Sequence, residues 1–147
     1  MKGVMRVTDK AYKAKVVLKE YRQLDKEITE KEERIQHLLD SATRATSSME
    51  AERISGTGEH SRLESAMIRK IDLEKQLDAK IDELRRRNFE IQNAIDAMTD
   101  ARERRLLNLR YLEGRSWNSV MTRMELTERN SFMIHESALF HFAEIFF

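Results

Sequence analysis

A heptad seam in LDAKIDELRRRNFEIQNAIDAM, residues 77–98, decides the fold. Apolar residues recur there at alternating intervals of four and three, which is the period of a long helix that packs along one stripe. The seam consists of Leu77, Ile81, Leu84, Asn88, Ile91, Ile95 and Met98. Asn88 is its polar member, and a polar residue in such a seam fixes register or oligomeric state at some cost in stability. We predict a helix from about Arg62 to about Met98.

A second seam runs through the first third of the chain. It consists of Val17, Tyr21, Leu24, Ile28, Ile35, Leu38 and Ala42, and Lys31 interrupts it. This seam predicts another helix, from about Thr8 to about Arg44. Between the two, TSSMEAERISGTGEHS (46–61) breaks the period with two glycines and several serines, so it predicts a loop.

Two helices of nearly equal length joined by a loop predict an antiparallel hairpin over residues 1–98. Neither helix can bury its apolar stripe alone. We interpret the hairpin as a scaffold or dimerisation region. The seams can equally pair between two chains, so a homodimer is expected.

The composition narrows the class of protein. The 147 residues include no proline, four glycines and no cysteine, and 36% of them are charged. Few turn residues favour an all-α fold, and the lack of cysteine excludes disulfide scaffolds and thiolate metal sites. Apolar runs fall short of the roughly 18 residues of a membrane span, and the basic start lacks the apolar core of a signal peptide. We therefore expect a cytoplasmic protein with no membrane association.

The net charge of +1 conceals a partition along the chain. Residues 1–22 contain seven Lys/Arg against two acids, whereas residues 23–100 contain thirteen against eighteen. Residues 101–147 contain seven arginines against six glutamates. The overall charge therefore gives no argument for nucleic-acid binding. Any positively charged surface that binds nucleic acid must come from local clusters of lysine and arginine.

Capping residues divide the last third into three short helices. Asp100 can cap the first, with Glu103 three residues on as in a capping box, and Gly114 can end it. Ser116 can cap a helix of about eight residues, and Thr127 a last helix running towards Ile145. A short helix, a tight turn and a longer helix predict a helix-turn-helix domain over residues 99–147.

The stretch ERRLLNLRYLEGRSWNSVMTRMELTERNSFMIHESAL (103–139) resembles the fourth region of bacterial sigma factors. It is still more similar to the C-terminal part of phage and prophage regulators, the ArpU-type late-transcription regulators and their uncharacterised relatives. Most specific is the spacing of LRYLEG (109–114), Ser116-Trp117 and Ile134-His135. SATRATS (41–47) and IDLEKQLDAKIDELRRR (71–87) continue the resemblance upstream.

This resemblance implies a transcriptional regulator whose last helix enters the major groove of double-stranded DNA. The groove-facing positions that it implies are Glu128, Arg129, Asn130, Phe132 and Met133, with Ser137 as a further candidate. Their chemistry suits base edges: arginine to guanine, asparagine to adenine, glutamate to cytosine and an apolar group to the thymine methyl. Helix N-termini and cations suit phosphates. The phosphate-contact candidates are Ser116, Thr127 and Arg123, with Arg110, Arg115 and His135 as weaker ones.

The chain departs from the family pattern at four positions. Relatives carry a small residue at Met121, glycine at Glu125, a β-branched residue at Ser131 and arginine at Met133. Residues 116–147 contain two arginines against four glutamates, although DNA affinity depends heavily on neutralising phosphates. Dimerisation can compensate by presenting two copies to paired half-sites.

The alternative is an adaptor that binds a protein such as RNA polymerase through its helical scaffold and its C-terminus. Phe140, Phe142, Phe146 and Phe147 cluster at that end, with methionines nearby, and either pack on the fold or form an adaptable binding surface. We find no supported nucleophile–base pair or metal-ligand spacing. We therefore expect no enzyme activity, no metal and no cofactor.

Overall fold

A computed structural model describes residues 7–51 and 57–147 of the chain. These residues are almost entirely helical and include no strand, which confirms the all-α class. The helices are α1 (Val7–Ala51), α2 (Thr57–Asp96), α3 (Ala101–Leu107), α4 (Trp117–Met124) and α5 (Glu128–Phe146). A π-helical turn, Asn108–Leu112, continues α3. Across the described ranges, no helix is both long enough and apolar enough to cross a membrane.

The long helices extend further into the predicted loop than expected. Helix α1 runs to Ala51 and α2 begins at Thr57, so the prediction of a loop over 46–61 is wrong at both edges. Serine, threonine and single glycines each cost a helix about 1 kcal/mol or less, which a long cooperative helix tolerates. Residues 52–56 lie outside the described residues.

The predicted caps of the short helices are confirmed. The Asp100 carboxylate accepts from the backbone N–H groups of Arg102 at 2.8 Å and Glu103 at 3.2 Å. Gly114 has a φ of 68°, the left-handed conformation expected after a helix end. Glu103 departs from the capping-box prediction: its buried carboxylate accepts from Ser137 Oγ at 2.6 Å and lies 2.7 Å from His141 Nδ1, so it ties α3 to α5.

Packing divides the chain into two compact units at places other than the predicted 98/99 boundary. The first unit combines the chain up to Asp25 with Arg86–Phe147, and the second is Lys26–Arg85. The boundary differs because α3–α5 do not enclose a core by themselves. They share one core with the beginning of α1 and the end of α2.

We call this shared core the composite core. Its buried members on the long helices include Ala14 and Leu18 of α1 and Ile91 and Ile95 of α2. From the last third of the chain it buries Leu106, Leu107, Leu109, Tyr111, Val120, Ala138, Leu139, Phe142 and Ala143. The seam residues Val17, Ile91, Ile95 and Met98 are buried, as their spacing predicted. They belong to a core that includes residues of α3–α5 as well as residues of α1 and α2.

The second unit contains a thinner interface. Among the side chains of this unit that the structure describes, the buried apolar ones are Ile28, Leu77, Ile81 and Leu84, all of them on the predicted seams. Glu32 forms an ion pair with Arg85, and Ile35 and Ile81 line one small hollow. Leu38 and Ile71 line another small hollow. Later residues of α1 therefore lie beside earlier residues of α2. The side chain of Ala42, the last predicted seam residue, lies outside the described residues.

Candidate nucleic-acid interface

The first turns of α5 are exposed. Thr127 Oγ1 accepts from the backbone N–H of Asn130 at 3.2 Å, which starts the helix where the sequence predicted. Glu128, Arg129 and Asn130 are exposed, and Phe132 and Met133 are 65% and 59% exposed. Two large apolar side chains, next to one another in sequence, are therefore exposed to solvent at the start of α5.

Helix α4 is connected to α5 by a turn in which one residue, Glu125, has a left-handed backbone conformation. Ser116 Oγ accepts from the backbone N–H of Ser119 at 3.2 Å and starts α4. Glu125 ends it with φ 55° and ψ 47°, a conformation in which glycine is preferred. This is the position at which the sigma-like pattern carries glycine. Met121 is half-buried and Arg123 is exposed on α4.

Ser131 occupies a buried position on the inner side of α5. It is 4% exposed, and its Oγ donates to the carbonyl of Glu128 at 2.7 Å. The hydroxyl is therefore satisfied within the helix, which explains how a polar residue is accommodated at a buried position.

His135 is part of the core, so the prediction that it contacts phosphate is wrong. It is 6% exposed, its Nε2 is hydrogen-bonded to Tyr111 Oη at 2.7 Å, and it packs edge-on against Trp117. Burial, with Lys15 and Arg110 nearby, lowers the pKa of His135 to about 4. Burial also raises the pKa of Tyr111 to about 12. Both groups are therefore neutral near pH 7, and the pair fastens α5 to the end of α3.

The weaker phosphate candidates Arg110 and Arg115 lie at the turn before α4. The guanidinium of Arg110 lies 4.9 Å from the centroid of the Trp117 ring and donates to the carbonyl of Arg115 at 2.8 Å. Arg115 forms an ion pair with Glu113 at 2.5 Å. Within the described residues, Arg110 therefore lies beside the start of α4 without an ion pair, whereas Arg115 is paired with Glu113.

A groove of about 660 Å³ lies beside the exposed face of α5. Tyr12 and Lys15 of α1 form one wall, and Asn118 and Met121 belong to α4. The α5 residues that line it are Glu128, Ser131, Phe132, His135, Glu136 and Leu139. The groove therefore joins the predicted recognition helix to the first turns of α1, which belong to the predicted scaffold region.

Sequence reasoning missed the contribution of α1 to this surface. Lys15, Lys19 and Arg22 are exposed and follow one another at intervals of four and three, so they lie on one face of α1. Lys15 lines the groove, and Lys19 and Arg22 line a hollow with Arg110. The excess of cations in residues 1–22 was the available signal, but it did not show which helix they would lie against.

Metal chemistry receives no support from the geometry. In the ranges 7–51 and 57–147, no three histidine, aspartate or glutamate side chains are grouped so that they could hold a metal ion. Ser137 and His141 both contact the carboxylate of Glu103, so the partner of the Ser137 hydroxyl is a carboxylate and not the imidazole.

Comparison with known proteins gives one result, and it covers most of the chain. Neither the curated proteins nor the solved structures include a significant match. A protein-family profile matches residues 43–142, which include the whole of α2, α3 and α4 and most of α5. The chain therefore belongs to the family described as "Protein of unknown function (DUF1492)".

Proposed function

We propose that this protein is a sequence-specific DNA-binding transcriptional regulator of the phage or prophage type. The observation that carries the proposal is the exposed start of α5, where Arg129, Asn130 and Phe132 project from a helix of a size that fits the major groove. The resemblance to sigma region four and to the ArpU-type regulators supports it. So does the left-handed turn at Glu125, which lies where the sigma-like pattern carries glycine.

In this proposal α4, the turn and α5 form a helix-turn-helix. Arg129 reads a guanine edge, Asn130 an adenine edge, and Glu128 accepts from cytosine. Phe132 and Met133 contact thymine methyl groups. Ser116, Thr127 and Arg123 position the unit on phosphates, with Arg110 beside them.

We further propose that the long helices form an antiparallel hairpin that holds a homodimer. The second unit leaves several apolar residues half exposed: Leu39, Met67, Ile68 and Ile71. A second copy would cover them, and two copies would present two recognition helices to paired half-sites. Light scattering on the purified chain tests this: a monomer at micromolar concentration would contradict the dimer and leave the DNA proposal standing.

The direct test of DNA binding is a fluorescence-anisotropy titration at low salt. Duplexes covering the DNA around the gene serve as probes. Arg129→Ala and Asn130→Ala should each weaken the best site by roughly 5- to 150-fold, because a good bidentate base contact contributes about 1–3 kcal/mol of discrimination. Arg102→Ala is the matched control, since it removes an exposed arginine from α3, away from the groove. Absent binding, or equal affinities for all four proteins, would contradict the proposal.

The groove supports a second candidate function, an adaptor for a protein such as RNA polymerase. Tyr12 and Phe132 at its walls are 70% and 65% exposed, and aromatic side chains of this kind anchor protein interfaces. Pull-down from nuclease-treated bacterial lysate separates the two functions. A stoichiometric partner lost in Phe132→Ala but retained in Arg129→Ala favours the adaptor, and DNA that co-purifies without nuclease favours the regulator.

A further inference from the structure

Three cations, two of them on α1 and one on the π-helical turn after α3, converge on one hollow beside the turn that precedes α4. The hollow has a volume of about 280 Å³ and is lined by Lys19, Arg22, Arg110, Tyr111 and Gly114. No acidic residue is among these lining residues. Such a site is suited to an anion with several acceptor oxygens.

Both arginines are held in place by backbone carbonyls. Arg22 Nη1 donates to the carbonyl of Glu113 at 2.6 Å, and its guanidinium lies over Gly114, where a Cβ would collide with it. Arg110 is fixed by the carbonyl of Arg115 and by the ring of Trp117. A guanidinium has five N–H donors, so each arginine retains donors for a ligand. Because the two side chains are already ordered, binding costs less conformational entropy.

The positive charge of the hollow is not neutralised by nearby carboxylates. None of the ion pairs within the described part of the chain includes Lys19, Arg22 or Arg110. Glu113, next to the hollow in sequence, is paired with Arg115. Lys15 continues the row of cations along α1 to the groove beside α5. A row of cations along one helix face is suited to contacts with successive phosphates of a nucleic-acid backbone.

We propose that this hollow binds a backbone phosphate of duplex DNA, with Lys19, Arg22 and Arg110 as its ligands. The inference rests on the proposed DNA binding and adds α1 to the interface. It also accounts for the shortage of cations in residues 116–147: the neutralising charge is supplied by a helix about 100 residues away in sequence.

The experiment measures affinity for a non-specific duplex of about three helical turns between roughly 50 and 200 mM salt. Lys19→Gln should weaken binding to every sequence alike and reduce the slope of log K against log salt by about 0.9. Lys19→Arg should preserve the slope. Lys13→Gln is the matched control, because it removes the same charge from the same helix about 240° around its axis.

The outcomes separate this inference from the proposed function. If the wild-type protein binds no duplex, the proposed function and this inference both fail. If it binds, and Lys19→Gln has the same slope as the wild-type protein or as Lys13→Gln, this inference alone is overturned. A titration with inorganic phosphate, followed by Trp117 fluorescence, distinguishes the source of the phosphate. Saturation that depends on Lys19, in a protein that binds no DNA, would identify a free-anion site and overturn the assignment to DNA.

Discussion

The two compact units of this protein bury their apolar residues in different ways. In the first unit, the ends of two long helices and three short ones surround the composite core, in which Leu18, Ile91 and Phe142 are fully buried. In the second, two helices meet along one stripe, and Ile68 and Ile71 remain at least half exposed. The same heptad spacing therefore gives a thick core where further helices cover it and a thin seam where they do not. Stability and the candidate site should both reside in the first unit.

Truncating one isoleucine in each unit tests whether the two units differ in how deeply they bury apolar side chains. Ile91 is 0% exposed and Ile71 is 50% exposed, and both lie on α2. Ile91→Ala should lower the free energy of unfolding by about 2–5 kcal/mol, because it leaves a cavity in a closed core. At a protein concentration where the chain is monomeric, Ile71→Ala should cost about 1 kcal/mol or less, because half of this side chain is then in contact with water. Helix propensity changes equally in both variants, so urea unfolding at one protein concentration compares burial alone. Equal losses of unfolding free energy in the two variants would contradict this difference between the units.

Acidification should destabilise the first unit through His135. Its pKa in the folded protein, about 4, lies below its ordinary value near 6.5, so the unfolded chain takes up the proton first. This contribution is fully present above pH 6.5 and is lost as the pH falls towards 4, by about 3 kcal/mol in total.

The single tryptophan, Trp117, contacts His135, so its fluorescence reports unfolding of the first unit. Ellipticity at helical wavelengths reports both units. His135→Gln should remove the His135 part of the pH dependence, whatever its effect on stability at pH 7. If the wild-type and His135→Gln proteins lose stability in parallel between pH 6.5 and 4, the assignment to His135 is wrong.

Asn88 tests how a buried amide affects the stability of the α2 seam within the first unit. Its Oδ1 is buried and has no hydrogen-bond partner among the residues that the structure describes. Asn88→Leu should raise the free energy of unfolding by about 1–2 kcal/mol, because an unsatisfied buried polar group is removed. Asn93→Leu, the same change at an exposed site of α2, should have an effect within about 0.5 kcal/mol. Destabilisation by Asn88→Leu would show that the amide is satisfied in solution.

The smallest expected effect concerns the turn between α4 and α5 in the first unit. Glu125→Gly should stabilise the protein by about 0.5–1 kcal/mol, because Glu125 has a left-handed backbone. Glu113→Gly should destabilise the protein, since Glu113 ends its helix with φ −83° and ψ −17°, a right-handed conformation in which glycine has no advantage. Thermal unfolding measured by Trp117 fluorescence distinguishes the two signs. Destabilisation by both substitutions would contradict the left-handed turn.

Local signals predicted the helices and their caps well. Asp100, Ser116 and Thr127 cap helices as their side chains and positions indicated, because a cap depends on a hydrogen bond within three residues. The seam spacing identified residues that the structure buries, such as Ile81 and Ile95. The edges of the long helices were less predictable, since a few polar residues and glycines change helix stability only slightly.

What the sequence by itself determined is the helical class, the apolar stripes, the short helices after Thr99 and the composition of the exposed start of α5. Only the tertiary structure decided that α1 packs with the last third of the chain, that His135 is buried against Tyr111, and that Lys19 and Arg22 meet Arg110. The physical reason is how far apart in the sequence the interacting residues lie. Caps and periodicity follow from neighbours within a few residues, whereas a shared core and a charge cluster depend on which distant surfaces exclude water together.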